Sequence, residues 1–215
     1  MEELILASGS PRRKTLLTAA GLPFRTIVPD IDESLRDGLP PANRVIALAE
    51  DKMLAAAALA AEAEIEGVTM PRLVLAADTL VCLPTATESE IALGKPQGQD
   101  EAREMLNRLA GRAHIVRTGL ALLDRIDGKR RTLRSDTEVR FAAMSEEEID
   151  SYLESREWED MAGAYRIQGL AACFIDRIEG SWTGIVGLPM RELYVILAQA
   201  DYRFPFARME VNAGP

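Results

Sequence analysis

Regular patterning begins with a short apolar run at residues 4–7 that stops at Ser8-Gly9-Ser10-Pro11, after which Lys14, Leu16, Leu17 and Ala20 continue at helical spacing until Gly21. Ser10 at the N-cap, Pro11 in the first turn and Gly21 at the end predict a strand, a tight turn and a helix. A second helix is predicted over about 41–63, where alanine and leucine dominate and Gly67 and Pro71 follow. Residues 73–83 read as a buried strand interrupted by one acid, Asp78. A short strand at 91–94 and a helix at 100–109 come next. Two β-rich arms at 115–123 and 132–141 are joined by a turn at Asp127-Gly128. Ser145-Glu146-Glu147-Glu148 is a capping box that opens a helix to about Ser155. Residues 164–178 read as strands around Gly169, and 188–200 as a closing helix with Pro189 in its first turn.

Strands alternating with helices, plus one hairpin, predict an α/β domain with a mixed sheet. No repeat or low-complexity linker divides the chain. Residues 60–72 read as a variable surface connection kept in water by Glu62, Glu64 and Glu66, and the segment after Arg203 as a poorly ordered tail.

Composition adds exclusions. With 215 residues, 47% hydrophobic and 27% charged, the chain can bury a core of its own. Its net charge of −9 argues against a broad electrostatic grip on a nucleic-acid polymer or an anionic membrane, but not against a small phosphorylated substrate held by local cations. Two cysteines and one histidine cannot build a four-ligand zinc site, so Cys82 and Cys173 read as free thiols of a reducing compartment. The start of the chain lacks the basic and long apolar regions of a signal peptide, and the alanine-rich run at 53–61 is too short to span a bilayer. A cytoplasmic protein is expected.

Three constellations carry chemistry. In Ser8-Gly9-Ser10-Pro11-Arg12-Arg13, free N–H groups and the positive end of a helix dipole meet two hydroxyls and two guanidinium groups. That is an anion cradle; the plainer reading is a serine cap followed by solvated arginines. It is not a Walker loop, because no Gly-Lys-Ser/Thr follows. The second is Asp78-Thr79 inside an apolar run, where a buried carboxylate costs several kcal/mol unless it is paired or holds a metal. Asp78 can serve as general base or cation ligand, or simply cap the following turn, and Thr79 can orient a substrate group. The third gathers Asp30, Asp32 and Glu33, three acids in a predicted loop suited to a hard cation such as Mg²⁺ or, on the plainer reading, a solvated acidic turn, with Lys52, Lys95 and Gln168. His114 reads as a hydrogen-bonded structural residue, and Trp158 and Trp182 as packing residues.

Taken together, Leu6 to Arg13, Ala77-Asp78-Thr79, Gly94-Lys95-Pro96, Gly111 with His114 and Thr118, Ala162 to Gly169 and Val186-Gly187-Leu188-Pro189 resemble the Maf family, in a match from residue 4 to about residue 197. The resemblance implies a nucleoside triphosphate pyrophosphatase that uses a divalent metal cation, Mg or Mn, and cuts between the α- and β-phosphates. It also implies a two-lobed α/β fold of the Maf/inosine-triphosphate-pyrophosphatase type, with an elongated mixed β-sheet flanked by helices, often as a homodimer. On that footing residues 1–205 form one domain with the active-site cleft between its lobes, and 206–215 a C-terminal tail. Matched residue by residue, Asp78 is the proton acceptor, with Glu33 beside it at the metal. Ser8, Ser10 and Arg13 belong to the phosphate loop, and Lys52 and Lys95 face the triphosphate. Arg12, Thr79 and Gln168 match positions linked to nucleotide choice.

Within the family, Tyr165, Ile167 and Gln168 resemble the branch acting on dTTP and UTP, with modified pyrimidine nucleotides also open to it, rather than the branch for 7-methyl-GTP, which carries a glutamate there. Met161 stands where the family usually has lysine, which removes a charge-assisted contact of about 1.5–3 kcal/mol unless another cation such as Arg166 substitutes. Gly184 stands where asparagine is common. Two other readings stay open: the same reaction on 7-methyl-GTP or another nucleotide, and a nucleotide-binding regulator of cell division.

Overall fold

In a computed structural model that describes residues 1–85 and 90–204, the first elements are β1 (Leu4–Ala7), α1 (Pro11–Ala19), β2 (Phe24–Ile27), a 3-10 turn (Glu33–Arg36) and α2 (Pro41–Ile65). The long strand β3 (Leu73–Pro84) is followed by β4 (Glu90–Leu93), α3 (Gln99–Leu109), β5 (Ala113–Asp124) and β6 (Arg130–Phe141). The rest comprises α4 (Glu146–Glu154), 3-10 turns at Ala162–Ala164 and Leu170–Phe174, β7 (Ile175–Glu179), α5 (Trp182–Val186) and α6 (Met190–Ala198). The tail expected at 206–215 lies outside the described residues.

The strands form one mixed sheet in the order β2-β1-β3-β5-β6-β7, with β4 also paired to β3. β1 runs parallel to both of its neighbours, and the remaining pairs are antiparallel. The α/β class with a mixed sheet is therefore as the alternation predicted. One edge of β3 decides where the site lies. β1 covers it only at Leu73, Val74 and Leu75, and β4 only from Val81 to Pro84. Among the described residues, 76–80 have no strand neighbour on that edge, while β5 stays in register along the other from Leu73 to Cys82. The sheet thus splits at Asp78 and Thr79.

Side chains alternate across β3 with the strand period of two. Val74 and Ala76 pack with Ile5, Ala7 and Ala121 against Ala49, Met53, Ala56 and Ala60 of α2. Leu73, Leu75 and Ala77 pack on the opposite face against Leu17 of α1 and Leu193, Ile196 and Leu197 of α6. Asp78 shares the α2 face by parity and Thr79 the other. Farther along, Val81 and Leu83 join a third cluster with α3, α4, Phe141, Trp158, Tyr165 and Ile167. Each fully buried leucine or isoleucine contributes roughly 1.5–3 kcal/mol.

Several expectations need correction. Residues 164–178 contain one strand, β7, and otherwise 3-10 turns and irregular chain. Burial does alternate over residues 165–168, where Tyr165 and Ile167 are buried while Arg166 and Gln168 are exposed. Yet the segment starts from left-handed Gly163 (φ 71°) and Ala164 (φ 59°), and the Arg166 N–H donates to a tyrosine hydroxyl instead of a ladder. Residues 60–72 are not wholly a surface connection, because α2 continues to Ile65 and Ala60 is fully buried. Ser10 occupies the N-cap of α1 without a side-chain cap bond. β2 was not expected, since it is only four residues on a sheet edge, with Arg25 and Thr26 exposed between partly buried Phe24 and Ile27, and shows no two-residue alternation. The five-residue α5 was missed through its brevity. The capping box at Ser145 and Glu148 forms as expected. Both cysteines are free thiols, Cys82 buried and Cys173 exposed. Trp158 packs as expected, whereas Trp182 is exposed. No helix among the described residues is long and apolar enough to cross a membrane.

Candidate active site

The turn after β1 is built around Ser8, which is buried and whose Oγ accepts from the Ser10 N–H at 3.2 Å and from Arg13 Nη1 at 3.0 Å. Arg13 also donates through Nε to the Gly187 carbonyl at 2.8 Å and through Nη2 to Thr79 Oγ1 at 3.3 Å. One guanidinium thus fastens the Ser8 turn, β3 and the end of α5 to one another. Gly187 lies at φ 115°, a backbone that accommodates no side chain without strain. Burial holds the Arg13 pKa below its ordinary value, against the pull of Asp78, while Arg12 adds to the lowering. Thr79 Oγ1 shares a 2.9 Å hydrogen bond with Thr118 Oγ1, and Thr118 donates to the Gly184 carbonyl at 2.8 Å. Thr79 is therefore locked in orientation, with Arg13 as a positioning group beside it.

On the α2 side, Asp78 is almost fully buried and Lys52 reaches it from α2, with Nζ 2.6 Å from Asp78 Oδ1. The same ammonium stands 2.7 Å from Glu33 Oε1 on the 3-10 turn. One cation between two carboxylates offsets the burial that an isolated Asp78 could not sustain. The contact needs α2 close to the sheet, and the residue paired with Asp78 on β5 is Gly119. A Cβ there would stand 2.3 Å from the Val45 carbonyl oxygen of α2, so glycine is what admits the helix backbone. The 3-10 turn is strapped to α2 by Arg36 Nε to Asp51 Oδ2 at 2.7 Å and by an ion pair between Arg44 and Asp37.

The opposite wall is made of irregular chain. Lys95 is exposed and 3.8 Å from Asp160 Oδ1. Gln168 is exposed to the cleft on the segment after Ala164. Tyr165 anchors that segment through a 3.0 Å bond between its hydroxyl and Nε2 of buried His114, and the two rings stack edge-on with Phe141. Burial pushes the His114 pKa down to about 4, so the ring is neutral. Tyr152 accepts the Arg166 N–H at 3.1 Å, and Glu157 Oε2 accepts the Leu170 N–H at 2.8 Å. The Glu157 carboxylate fills the space of a Gly169 side chain, 2.0 Å from where its Cβ would be.

Ser8, Ser10, Arg12, Arg13, Glu33, Lys52, Asp78, Thr79, Lys95 and Gln168 all line one cleft of about 1160 Å³, so the structure brings together every residue matched to the family's site. The three-acid loop does not assemble: Asp32 caps its own turn by accepting from the Ser34 N–H, Asp30 is exposed, and only Glu33 turns inward. Among the described residues no three Asp, Glu, His or Cys side chains converge as a preformed metal cage. Asp78 and Glu33 are nonetheless a fitting donor set for Mg²⁺ or Mn²⁺, because such a cation is commonly held by one or two carboxylates plus substrate phosphates and water. Sequence reasoning missed Tyr152 and Glu157 as supports of the Gln168 segment. No local signal marks them, since each acts on chain 13 or 14 residues away.

Residues 3–200 match the family model described as Maf-like protein. Among curated proteins the chain is similar to the dTTP/UTP pyrophosphatase of Treponema denticola, 44% identical over 211 residues, covering 94% of this chain and 99% of that protein. It is 43% identical to the dTTP/UTP pyrophosphatase of a Shewanella species, over 93% of this chain and 99% of that protein. It is 41% identical to one from Bacillus cereus, over 94% of this chain and 97% of that protein. Among solved structures, one described as the structure of the Staphylococcus aureus Ham1 protein overlaps 66% of this chain and 72% of its own, with TM-score 0.39 and 14% identity, too loose to bear on fold or function.

Proposed function

The chain belongs to the Maf family, and we propose that it is a nucleoside triphosphate diphosphatase that hydrolyses dTTP and UTP to the monophosphate and pyrophosphate. The observation that carries this reading is the shared name dTTP/UTP pyrophosphatase among relatives 41–44% identical across 93–94% of the chain. The cleft supports it with a chemistry that suits phosphoryl transfer.

In this reading Asp78 takes a proton from a water that attacks the α-phosphorus, and the bond from that phosphorus to the bridging oxygen breaks, so that pyrophosphate leaves. Lys52 holds Asp78 Oδ1 and thereby orients the carboxylate toward the cleft. A divalent cation, Mg²⁺ or Mn²⁺, would be held by Glu33 and Asp78 with phosphate oxygens, and supplies charge neutralisation at the phosphates. Ser8 and Ser10 with the N-terminus of α1 face the phosphate chain, and Lys95 approaches it from the other wall. Arg13 keeps Ser8 and Thr79 in place. Gln168 offers both donor and acceptor to the amide edge of uracil or thymine, where an N–H lies between two carbonyl oxygens.

A net charge of −9 suits a small nucleotide substrate rather than a nucleic-acid polymer. Free thiols and a nucleotide substrate support a cytoplasmic location, and a homodimer is the proposed assembly. The reading is tested by pyrophosphate release with Mg²⁺ or Mn²⁺ across dTTP, UTP, CTP, GTP, 7-methyl-GTP and ITP, with product identification. Selective conversion of dTTP and UTP to monophosphates is expected. Selective turnover of 7-methyl-GTP would move the chain to the other branch, and nucleotide binding without turnover would favour a regulatory role.

A further inference from the structure

Thr118 takes no part in the reaction described above, yet it is fully buried on β5, directly opposite Thr79 on β3. Its Oγ1 stands 2.9 Å from Thr79 Oγ1 and 2.8 Å from the Gly184 carbonyl oxygen. At the other end, Arg13 Nη2 lies 3.3 Å from Thr79 Oγ1. Four polar groups thus form one row, from a guanidinium to a carbonyl.

The two ends fix the direction of every hydrogen between them. A guanidinium only donates and a carbonyl only accepts, whereas a hydroxyl has one hydrogen and two lone pairs. Thr118 spends its hydrogen on Gly184, so at the 2.9 Å contact Thr79 donates and Thr118 accepts. The reverse direction would leave the Thr118 and Gly184 oxygens 2.8 Å apart with no hydrogen between them. Thr79 therefore receives a hydrogen from Arg13 and gives its own to Thr118, which leaves its Oγ1 a single lone pair. Thr79 is partly exposed and lines the cleft, so what this hydroxyl offers a ligand is an acceptor. Ionised phosphate oxygens bring only lone pairs and do not suit it. The nucleoside half brings hydrogens: in dTTP these are the ring N–H of thymine and the 3′-hydroxyl.

We propose that Thr118 is a positioning residue that keeps the Thr79 hydroxyl acceptor-only toward the cleft, so that Thr79 selects an N–H or O–H donor of the nucleoside. The proposal deepens the dTTP/UTP reading and rests on it. Selection follows because a nucleoside lacking that donor leaves the Thr79 oxygen unpaired.

The test is calorimetric binding of three monophosphates to the full chain, Thr118→Ser and Thr118→Val: dTMP, 2′,3′-dideoxy-TMP, which lacks the sugar hydroxyl, and 5-methyl-dCMP, which carries a bare nitrogen in place of the ring N–H. Thr118→Val strands the Thr79 hydrogen and is expected to bind dTMP about tenfold more weakly, while Thr118→Ser, which keeps the hydroxyl, binds like the parent. One analogue should escape the loss: 5-methyl-dCMP if the donor is the ring N–H, dideoxy-TMP if it is the sugar hydroxyl. Should Thr118→Val not fold, Thr79→Val must give the same pattern, since it removes the acceptor itself. Equal weakening of all three ligands, dTMP affinity within twofold of the parent, a Thr118→Ser variant as weak as Thr118→Val, or a parent that binds no dTMP would overturn the proposal. Binding is read without turnover, so the two readings fail separately. A parent that hydrolyses nothing but shows this pattern keeps the role of Thr118 and loses the activity. A parent that hydrolyses dTTP without the pattern does the reverse.

Discussion

The two walls of the cleft are built in different ways. The Asp78 wall rests on regular elements: a strand paired along its length on one edge, a 25-residue helix carrying Lys52, and a glycine that lets backbone meet backbone. The Gln168 wall is irregular chain held by side chains that reach over from elsewhere, namely Tyr152, Glu157 and His114 through Tyr165. The first arrangement places charged groups with little freedom to drift, which suits proton transfer and charge stabilisation. The second can vary in sequence without disturbing the sheet, which suits the choice of base. Under the proposed function the labour divides between chemistry on the sheet and recognition of the base on a tethered segment.

The sharpest break in that division is Asp78→Asn, which keeps shape and removes the proposed base. Turnover of dTTP should fall by about 10²–10⁴-fold with nucleotide binding and fold retained; steady-state kinetics beside a thermal melt reads both. Next in size is Gly119→Ala. Its Cβ would meet the Val45 carbonyl oxygen and carbon at 2.3 and 2.5 Å and the Ile46 nitrogen at 2.8 Å, all helix backbone that cannot step aside alone. A loss of about 3 kcal/mol or more is expected in denaturant unfolding, together with a lower kcat as Lys52 moves off Asp78.

The other wall should answer to pH. His114 takes up a proton near pH 6.5 when unfolded but only near about 4 when folded. Stability from its burial is therefore complete above pH 6.5 and lost between 6.5 and 4, up to about 3 kcal/mol. His114→Phe should flatten that part of the stability–pH curve relative to the parent, as unfolding at successive pH values would reveal. The smallest effect is expected at Gly169→Ala, where the clash is with the mobile Glu157 carboxylate rather than backbone. Glu157 can swing away at the loss of its bond to Leu170, about 1 kcal/mol, and the readout is a raised KM for dTTP at nearly constant kcat.

How much of this was legible in the sequence follows the same division. Asp78 stood out because a lone carboxylate in an apolar run demands a partner, and the run of alanine and leucine in α2 announced a helix. What stayed hidden depended on contacts between distant segments. Nothing near Lys52 shows that it would bridge Glu33 and Asp78, 19 positions before it and 26 after it. Arg13 read as a phosphate ligand, but its position is spent joining Ser8, Thr79 and Gly187. The 164–178 segment was read as strands around Gly169, but burial alternates only over residues 165–168, and an alternation reports burial and not the presence of a neighbouring ladder.

The central proposed step is attack on the α-phosphorus by a water prepared by Asp78. Hydrolysis of dTTP in ¹⁸O-labelled water, followed by mass spectrometry of both products, tests that step directly. Label in dTMP with unlabelled pyrophosphate is the predicted result. Label in pyrophosphate, or release of dTDP and inorganic phosphate, would contradict it.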